Sequence, residues 1–184
     1  MVSEMMNPSA LVDGARTGDA ASWTALYRLA YPQLIRYAHH RLGDLDEARD
    51  AVSETMARAV AAMDRFTADD AGFVPWLFGI CRNVVADALR LRYRQRSLRD
   101  VEDHEDDGPS PDEDLLDRED LARVRAAFAR LDPDEREVLE LRVVAGLTSD
   151  QVAGVLGKKP SAVRMAQMRA LSRLRAFVNE AASG

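Results

Sequence analysis

Residues 97–114 cannot fold on their own, and that constrains everything on either side of them. The stretch combines a dense run of acids with Gly108, Pro109 and Pro111 and has few apolar side chains. It cannot bury enough surface to offset the entropy of ordering its backbone, so it reads as a flexible linker. On both sides apolar residues recur at helical spacing, with no alternating strand pattern and no internal repeat. The expected fold is therefore all-α, with two small helical domains. The expected division is a tail over 1–18, a first domain over 19–96, an acidic linker over 97–116, a helix-turn-helix domain over 117–178 and a tail over 179–184.

Local signals punctuate each helix. Asp19 is placed to cap a helix carrying Trp23, Leu26, Tyr27 and Ala30. Pro32 suits the first turn of a second, with Leu34, Ile35, Ala38 and Leu42 inward and Gly43 as the stop. Asp44 and Glu47 have capping-box spacing ahead of Ala48, Ala51, Val52, Thr55, Met56, Ala59 and Met63. Pro75 opens a long helix reaching about Arg96. Past the linker, a helix carrying Leu121, Val124 and Phe128 ends near Leu131. Asp132, Pro133 and Glu135 then read as N-cap, first-turn proline and capping-box glutamate of a helix running to Gly146. Thr148 and Gln151 cap a short helix ended by Gly157, and Pro160 starts the last one.

Total charge, −6, argues against a nucleic-acid partner until its distribution is considered. Between Asp100 and Asp120 twelve acidic residues face Arg118 alone, so the rest of the chain is net positive. Arg90, Arg92, Arg94, Arg96 and Arg99 form one basic cluster. Lys158, Lys159, Arg164, Arg169, Arg173 and Arg175 form another, in a stretch without any acid.

Three constellations carry function. A short capped helix, a glycine turn at Gly157 and a basic second helix make a helix-turn-helix, whose second helix would enter the major groove. Ser161, Arg164, Met165, Met168 and Ser172 face outward, and Lys158, Lys159, Arg169 and Arg173 can reach phosphates. An ordinary helical hairpin with a solvated basic face has the same pattern. On the long fourth helix, Asn83, Asp87, Arg90 and Arg94 share one stripe. Beside it, Arg65, Phe66, Phe73 and Trp76 put aromatic rings next to a basic surface, the combination that single-stranded nucleic acid requires. The same rings can equally be core, and core is the better reading for Trp76. The third helix presents Asp46, Asp50, Ser53, Glu54 and Arg58 outward. That stripe is either a solvated face or a docking surface for a basic helical partner.

Residues 46–59 (DEARDAVSETMARA) resemble the polymerase-binding segment of extracytoplasmic-function (ECF) sigma factors. Residues 76–90 (WLFGICRNVVADALR) resemble that family's helix for recognising and melting the −10 promoter element, and residues 131–175 resemble its −35-reading domain. The resemblance covers nearly the whole chain in the right order. It implies a transcription initiation factor whose partners are core RNA polymerase, through the β′ coiled coil and the β subunit, and promoter DNA, with an anti-sigma protein as a further partner. Asp46, Asp50, Glu54 and Arg58 would meet the polymerase. Arg65, Phe66, Phe73, Asn83, Asp87, Arg90 and Arg94 would serve the −10 element, with residues 65–72 pocketing a flipped base. Lys158, Lys159, Ser161, Arg164, Met165, Met168, Arg169 and Arg173 would serve the −35 element. The acidic linker would thread the channel later filled by RNA. Two departures stand out. Met165-Ala166 replaces a polar pair common in relatives, and Met can touch a thymine methyl but cannot hydrogen-bond guanine. Gly79 occupies a position that is often basic.

Other classes fit less well. No run approaches the roughly 18 apolar residues of a membrane span, and residues 1–7 do not read as a secretory leader. Cys81, the single cysteine, can form neither an internal disulfide nor a thiolate metal cage. A cytoplasmic protein without cofactor, metal or catalysis is expected. His39 and His40 lack a ligand pattern, and the acids around His104 lie in the linker rather than on a rigid scaffold. The remaining alternatives are a helix-turn-helix regulator acting without polymerase and a helical protein-binding adaptor.

Overall fold

The computed structural model describes residues 8–67, 72–98 and 115–182. Among them every regular element is helical: α1 (Pro8–Arg16), α2 (Ala20–Leu42), α3 (Leu45–Ala62) with a 3-10 turn at Met63–Arg65, α4 (Phe73–Leu98), α5 (Leu115–Ala129), α6 (Pro133–Leu139) continuing as a π-helical turn over Glu140–Val144, α7 (Ser149–Leu156) and α8 (Pro160–Ala182).

The two helices expected on either side of Pro32 are one. Leu26, Ala30, Leu34 and Ala38 repeat every four residues and are fully buried, so one unbroken stripe runs past the proline. Burying Leu26 and Leu34 contributes roughly 2 kcal/mol each, enough to offset the ~3 kcal/mol that an interior proline costs. Pro32 itself faces outward. Asp19 caps this helix as its position suggests, accepting from the Ala21 and Ser22 amides at 3.3 and 2.8 Å. The Ser22 hydroxyl and amide, with the Ala21 amide, hold the Asp19 carboxyl below its ordinary range. At the other end Gly43 takes φ 74°, where a side chain would be strained.

The stretch expected to be an N-terminal tail contains α1, which is tied down. Val12 and Ala15 are buried, Trp23 donates its indole N–H to the Ala15 carbonyl at 3.0 Å, and Arg16 donates to the Phe66 carbonyl. α8 likewise runs through the expected C-terminal tail to Ala182. The expected linker is trimmed at both ends: residues 97–98 finish α4 and 115–116 begin α5, while 99–114 lie outside the described residues.

α1 to α4 pack around Leu34, Tyr37, Val52, Leu77, Phe78 and Val85, with the Tyr37 and Phe78 rings edge-on at 5.8 Å. Cys81 sits in this core, and burial pushes its thiol up to about 11. Val138, Leu141, Leu147, Val152 and Val163 from α6 to α8 join the same core. The two halves are thus packed together, whereas the sequence suggests domains joined only by a tether. A smaller cluster of Leu131, Leu139 and Ala170, flanked by Phe128, Leu174 and Phe177, holds α5 and α6 on α8.

Candidate polymerase and nucleic-acid surfaces

Asp44 starts α3 by accepting from the Glu47 amide at 2.8 Å. Glu47 does not complete the capping box; its carboxylate pairs with Arg92 of α4. The α3 face then presents Asp46, Asp50, Glu54 and Arg58, all exposed. Asp46 pairs with Arg49 at 2.8 Å and Glu54 with Arg58 at 2.7 Å. Arg58 also lies 3.6 Å from Asp87 of α4, and the hydrogen bond it donates to Glu54 raises its pKa most. Asp50 makes no ion pair among the described residues and lines an open groove of about 320 Å³ between α3 and α4, together with Glu47 and Glu54. Arg58 is thus a staple between the two helices, and Asp50 is the carboxylate left for a partner.

On α4, Asn83, Asp87, Arg90 and Arg94 lie along one exposed stripe, with Arg90 bonded to Asp87 at 3.0 Å. The aromatic group behaves differently from the expectation of rings open to bases. Phe66 and Phe73 are 4% and 6% exposed. Their centroids lie 6.1 Å apart and 4.8 and 5.7 Å from half-buried Trp76. Three large apolar side chains gain more from covering one another than from facing water, so they brace the base of the loop. Arg65, at the end of the 3-10 turn, is exposed beside them. The expected flipped-base pocket falls largely on residues 68–71, outside the described residues.

The helix-turn-helix is formed by α7, the turn at Gly157 and α8. Thr148 and Gln151 make a complete capping box, with bonds of 3.1 and 2.8 Å. Gly157 takes φ 62°, and the Lys158 amide returns to the Ala153 carbonyl at 3.0 Å. Val152 and Val163 lock the two helices from inside. Ser161, Arg164, Met165, Met168 and Arg169 remain on the outer face, with Met165 at 56% and Met168 at 67% exposure. Lys158 and Arg173 are less available than expected. Lys158 bonds Asp134 at 2.9 Å, and Arg173 pairs with Asp132 and, at 3.0 Å, with Glu135. Asp132 therefore gives no side-chain cap to α6, and Glu135 is not a capping-box glutamate but a buried acid reaching α8. Lys159, Arg164 and Arg169 make no ion pair among the described residues.

Sequence reasoning missed a set of contacts joining α2 and α4 to the C-terminal helices. Arg36 donates to the Val144 and Ala145 carbonyls, both at 3.2 Å. Arg41 bonds Glu140 at 2.8 Å, and Arg82 bonds Glu137 and the Val155 carbonyl, the latter at 3.4 Å. The partners lie tens of residues apart, so no local spacing announces them. The one available signal is Glu140, an acid on the inward stripe beside Leu139 and Leu141.

Two families match the chain: Sigma-70 region 2 over residues 26–106 and Sigma-70, region 4 over residues 121–174. The ECF RNA polymerase sigma factor ShbA of Streptomyces griseus is 35% identical, over 93% of this chain and 95% of its own. Among solved structures, CnrH in complex with the cytosolic domain of CnrY superposes with a TM-score of 0.67 at 27% identity, covering 93% of this chain and 96% of that one. The sigma factor RpoE in complex with the anti-sigma factor NepR from Bartonella quintana gives 0.60 at 26% identity, over 85% of this chain and 96% of that one. The chain carries both regions in order, on the helices that hold the acidic and basic surfaces, and it belongs to the ECF RNA polymerase sigma factors.

Proposed function

We propose that this sigma factor docks on core RNA polymerase through α3, opens the −10 element along α4 and reads the −35 element with α8. The observation that carries the reading is the presence, on one chain, of an exposed acidic helix face, an adjacent polar and basic stripe, and a helix-turn-helix with a basic outer face. Asp50 leads the polymerase contact, flanked by Asp46 and Glu54, against a basic coiled coil of β′, with β as a further contact. Asn83 and Asp87 face promoter DNA next to Arg65, with Arg90 and Arg94 toward the backbone. Lys159 and Arg169 neutralise phosphates, which sets position without reading sequence. Arg164, Met165 and Met168 face the base edges. The working division is a polymerase and −10 unit over 19–96 and a −35 unit over 117–178, with the acidic segment between them lying in the polymerase's RNA channel. The protein acts in the cytoplasm, where an anti-sigma protein is the natural means of holding it inactive; RpoE of Bartonella quintana forms a complex with one, NepR.

Run-off transcription with core polymerase, followed by start-site mapping, tests the reading. Start sites sharing elements near −10 and −35 are expected. Failure to bind core and to yield promoter-dependent transcripts would overturn it, and operator binding with no need for polymerase would point to a free regulator.

A further inference from the structure

At 3.6 residues per turn, Ser161, Met165, Met168 and Ser172 form the centre line of the outer face of α8, opposite Val163 and Ala170, which are fully buried. Met165 and Met168 are thus neighbours, about one turn apart, in the middle of that face. Exposed Arg164 lies on one flank of the line and exposed Arg169 on the other; neither makes an ion pair among the described residues. A single exposed apolar side chain needs no partner. Two of them side by side between available cations are a different matter, because this is the face that a helix-turn-helix lays into the major groove. The flanking arginines are placed for the phosphates on either wall, which leaves the thioethers nearest the base edges.

Selective hydrogen bonding is largely closed to the centre of this face. Gln167 is the only amide side chain between Pro160 and Val178, and that stretch holds no acid. Gln167 is half-buried, and its carbonyl oxygen accepts from Arg142 at 2.9 Å, so it is not free to pair with both edge groups of an adenine. No carboxylate is present to accept from the amino group of cytosine. The serine hydroxyls at the two ends bond to any base and discriminate little. What the centre offers is a pair of flexible thioethers, which mould themselves to irregular apolar surface. The apolar feature that a base edge shows in the major groove is the C5-methyl of thymine, and cytosine shows the same group only when it is methylated at C5. Three residues of helix advance about 4.5 Å, against about 3.4 Å between base pairs. Met165 and Met168 therefore reach neighbouring base steps rather than a single one.

We propose that Met165 and Met168 form a ridge that reads C5-methyl pyrimidines at two neighbouring positions of the −35 element, and that 5-methylcytosine is accepted there in place of thymine. The promoter context rests on the sigma-factor reading, whereas the methyl ridge is a property of α8 itself. Duplexes with one randomised segment are selected twice, by the holoenzyme reconstituted from the full chain and core polymerase, and by the full chain alone at low salt, where phosphate contacts are strongest. Both selections are expected to return thymines, on either strand, at two neighbouring positions. Replacing one of these thymines by uracil deletes only the methyl and should weaken binding by wild type about fourfold. A cytosine·guanine pair at the same position should bind more weakly than thymine·adenine, and 5-methylcytosine·guanine should recover about the same factor. Met165→Ala and Met168→Ala, which lie off the core, should each lose the response to one of the two methyls, and Met168→Leu should keep it. Selections without thymine at neighbouring positions, equal affinity for thymine and uracil duplexes, or 5-methylcytosine binding no better than cytosine would overturn the ridge. So would a methyl response that survives the double substitution Met165→Ala with Met168→Ala. The base replacements are read on wild type, so that decision does not depend on the folding of any variant. Failure of the holoenzyme to form or to start at promoters counts against the sigma-factor reading, while the duplexes selected by the full chain alone still decide the methyl response.

Discussion

α3 and α8 are built alike and partnered differently. Each is an amphipathic helix whose outer face bears one predominant sign of charge, acidic on α3 and basic on α8. On α3 the outward acids Asp46 and Glu54 are balanced locally, by Arg49 and Arg58 one turn along the same helix, while Glu47, at the edge facing α4, is held by Arg92. On α8 and the turn that leads into it the balancing charges come from elsewhere in the fold, since Lys158 and Arg173 are held by Asp134, Asp132 and Glu135 around α6. Same-helix pairs are exposed, weak and easily exchanged for a partner's charges. The cross-helix ties instead position the recognition helix on its support. A charged side chain on a binding face is thus not automatically a binding group; its competing partners decide. By that criterion Asp50 on α3 and Lys159, Arg164 and Arg169 at α8 are the groups left for other molecules.

The largest effect is expected where the comparison is starkest. Reversing Asp50 and Glu54 together to Lys should weaken core-polymerase binding on the order of a hundredfold, because two attractive interactions become repulsive. Helicity should be unchanged, since both side chains lie off the core. Asp50→Ala alone should cost more than Asp46→Ala, whose carboxylate is already engaged with Arg49. Equal losses, measured by pull-down at moderate salt, would mean that local pairing does not rank these acids.

Arg164→Ala makes the corresponding test on α8. If its guanidinium reads a base edge, its removal takes away about 1–3 kcal/mol of discrimination at one position of the −35 element. Selection from randomised −35 sequences should then return a relaxed consensus at that position. An unchanged consensus would place Arg164 among the phosphate-binding groups.

Much of this was legible in the sequence, for a physical reason. Caps at Asp19 and Thr148 and the glycine stops at Gly43 and Gly157 depend on residues within a turn of one another, so spacing reveals them. Interactions across long separations were not legible. Pro32 reads as a helix start because its local preference is visible, whereas the buried Leu26 to Ala38 stripe that overrides it acts through tertiary packing. Asp132 and Glu135 have the spacing of a cap, yet their carboxylates are drawn to Arg173 across the fold. Phe66 and Phe73 sit beside arginines in sequence, but only the structure shows their rings closed on Trp76. The sequence-level reading of Asn83 and Asp87 as outward on α4 agrees with their exposure, while the α7 helix facing Asn83 could not be inferred from any local pattern.

The contrast between the two caps can be checked on its own. Thr148→Ala removes a working cap and should destabilise the fold by about 1 kcal/mol, with faster hydrogen exchange at the Gln151 amide. Asp132→Ala removes a carboxylate that caps nothing, so exchange at the start of α6 should be unaffected. Loss of protection at the Glu135 amide in that variant would restore Asp132 as a cap.

The smallest effect separates two neighbouring lysines at the head of α8. A lysine that neutralises a phosphate strengthens DNA binding mainly by releasing a counterion, so removing it reduces the slope of log affinity against log salt by about 0.9. Lys159 has no ion-pair partner among the described residues, so Lys159→Ala should reduce the slope by nearly that amount, equally on matched and mismatched −35 elements. Lys158 is bonded to Asp134 at 2.9 Å, and that hydrogen bond holds the Asp134 carboxyl below its ordinary range. Its charge is already partly neutralised before DNA arrives, and fewer counterions remain for it to displace. Lys158→Ala should therefore change the slope by less than Lys159→Ala. Asp134→Asn, which frees Lys158 without removing it, should steepen the dependence relative to wild type and make a subsequent Lys158→Ala substitution more costly. If the two lysines give the same slope change, the Asp134 pair does not persist in solution, and the distinction between tied and available charges on α8 fails at this position.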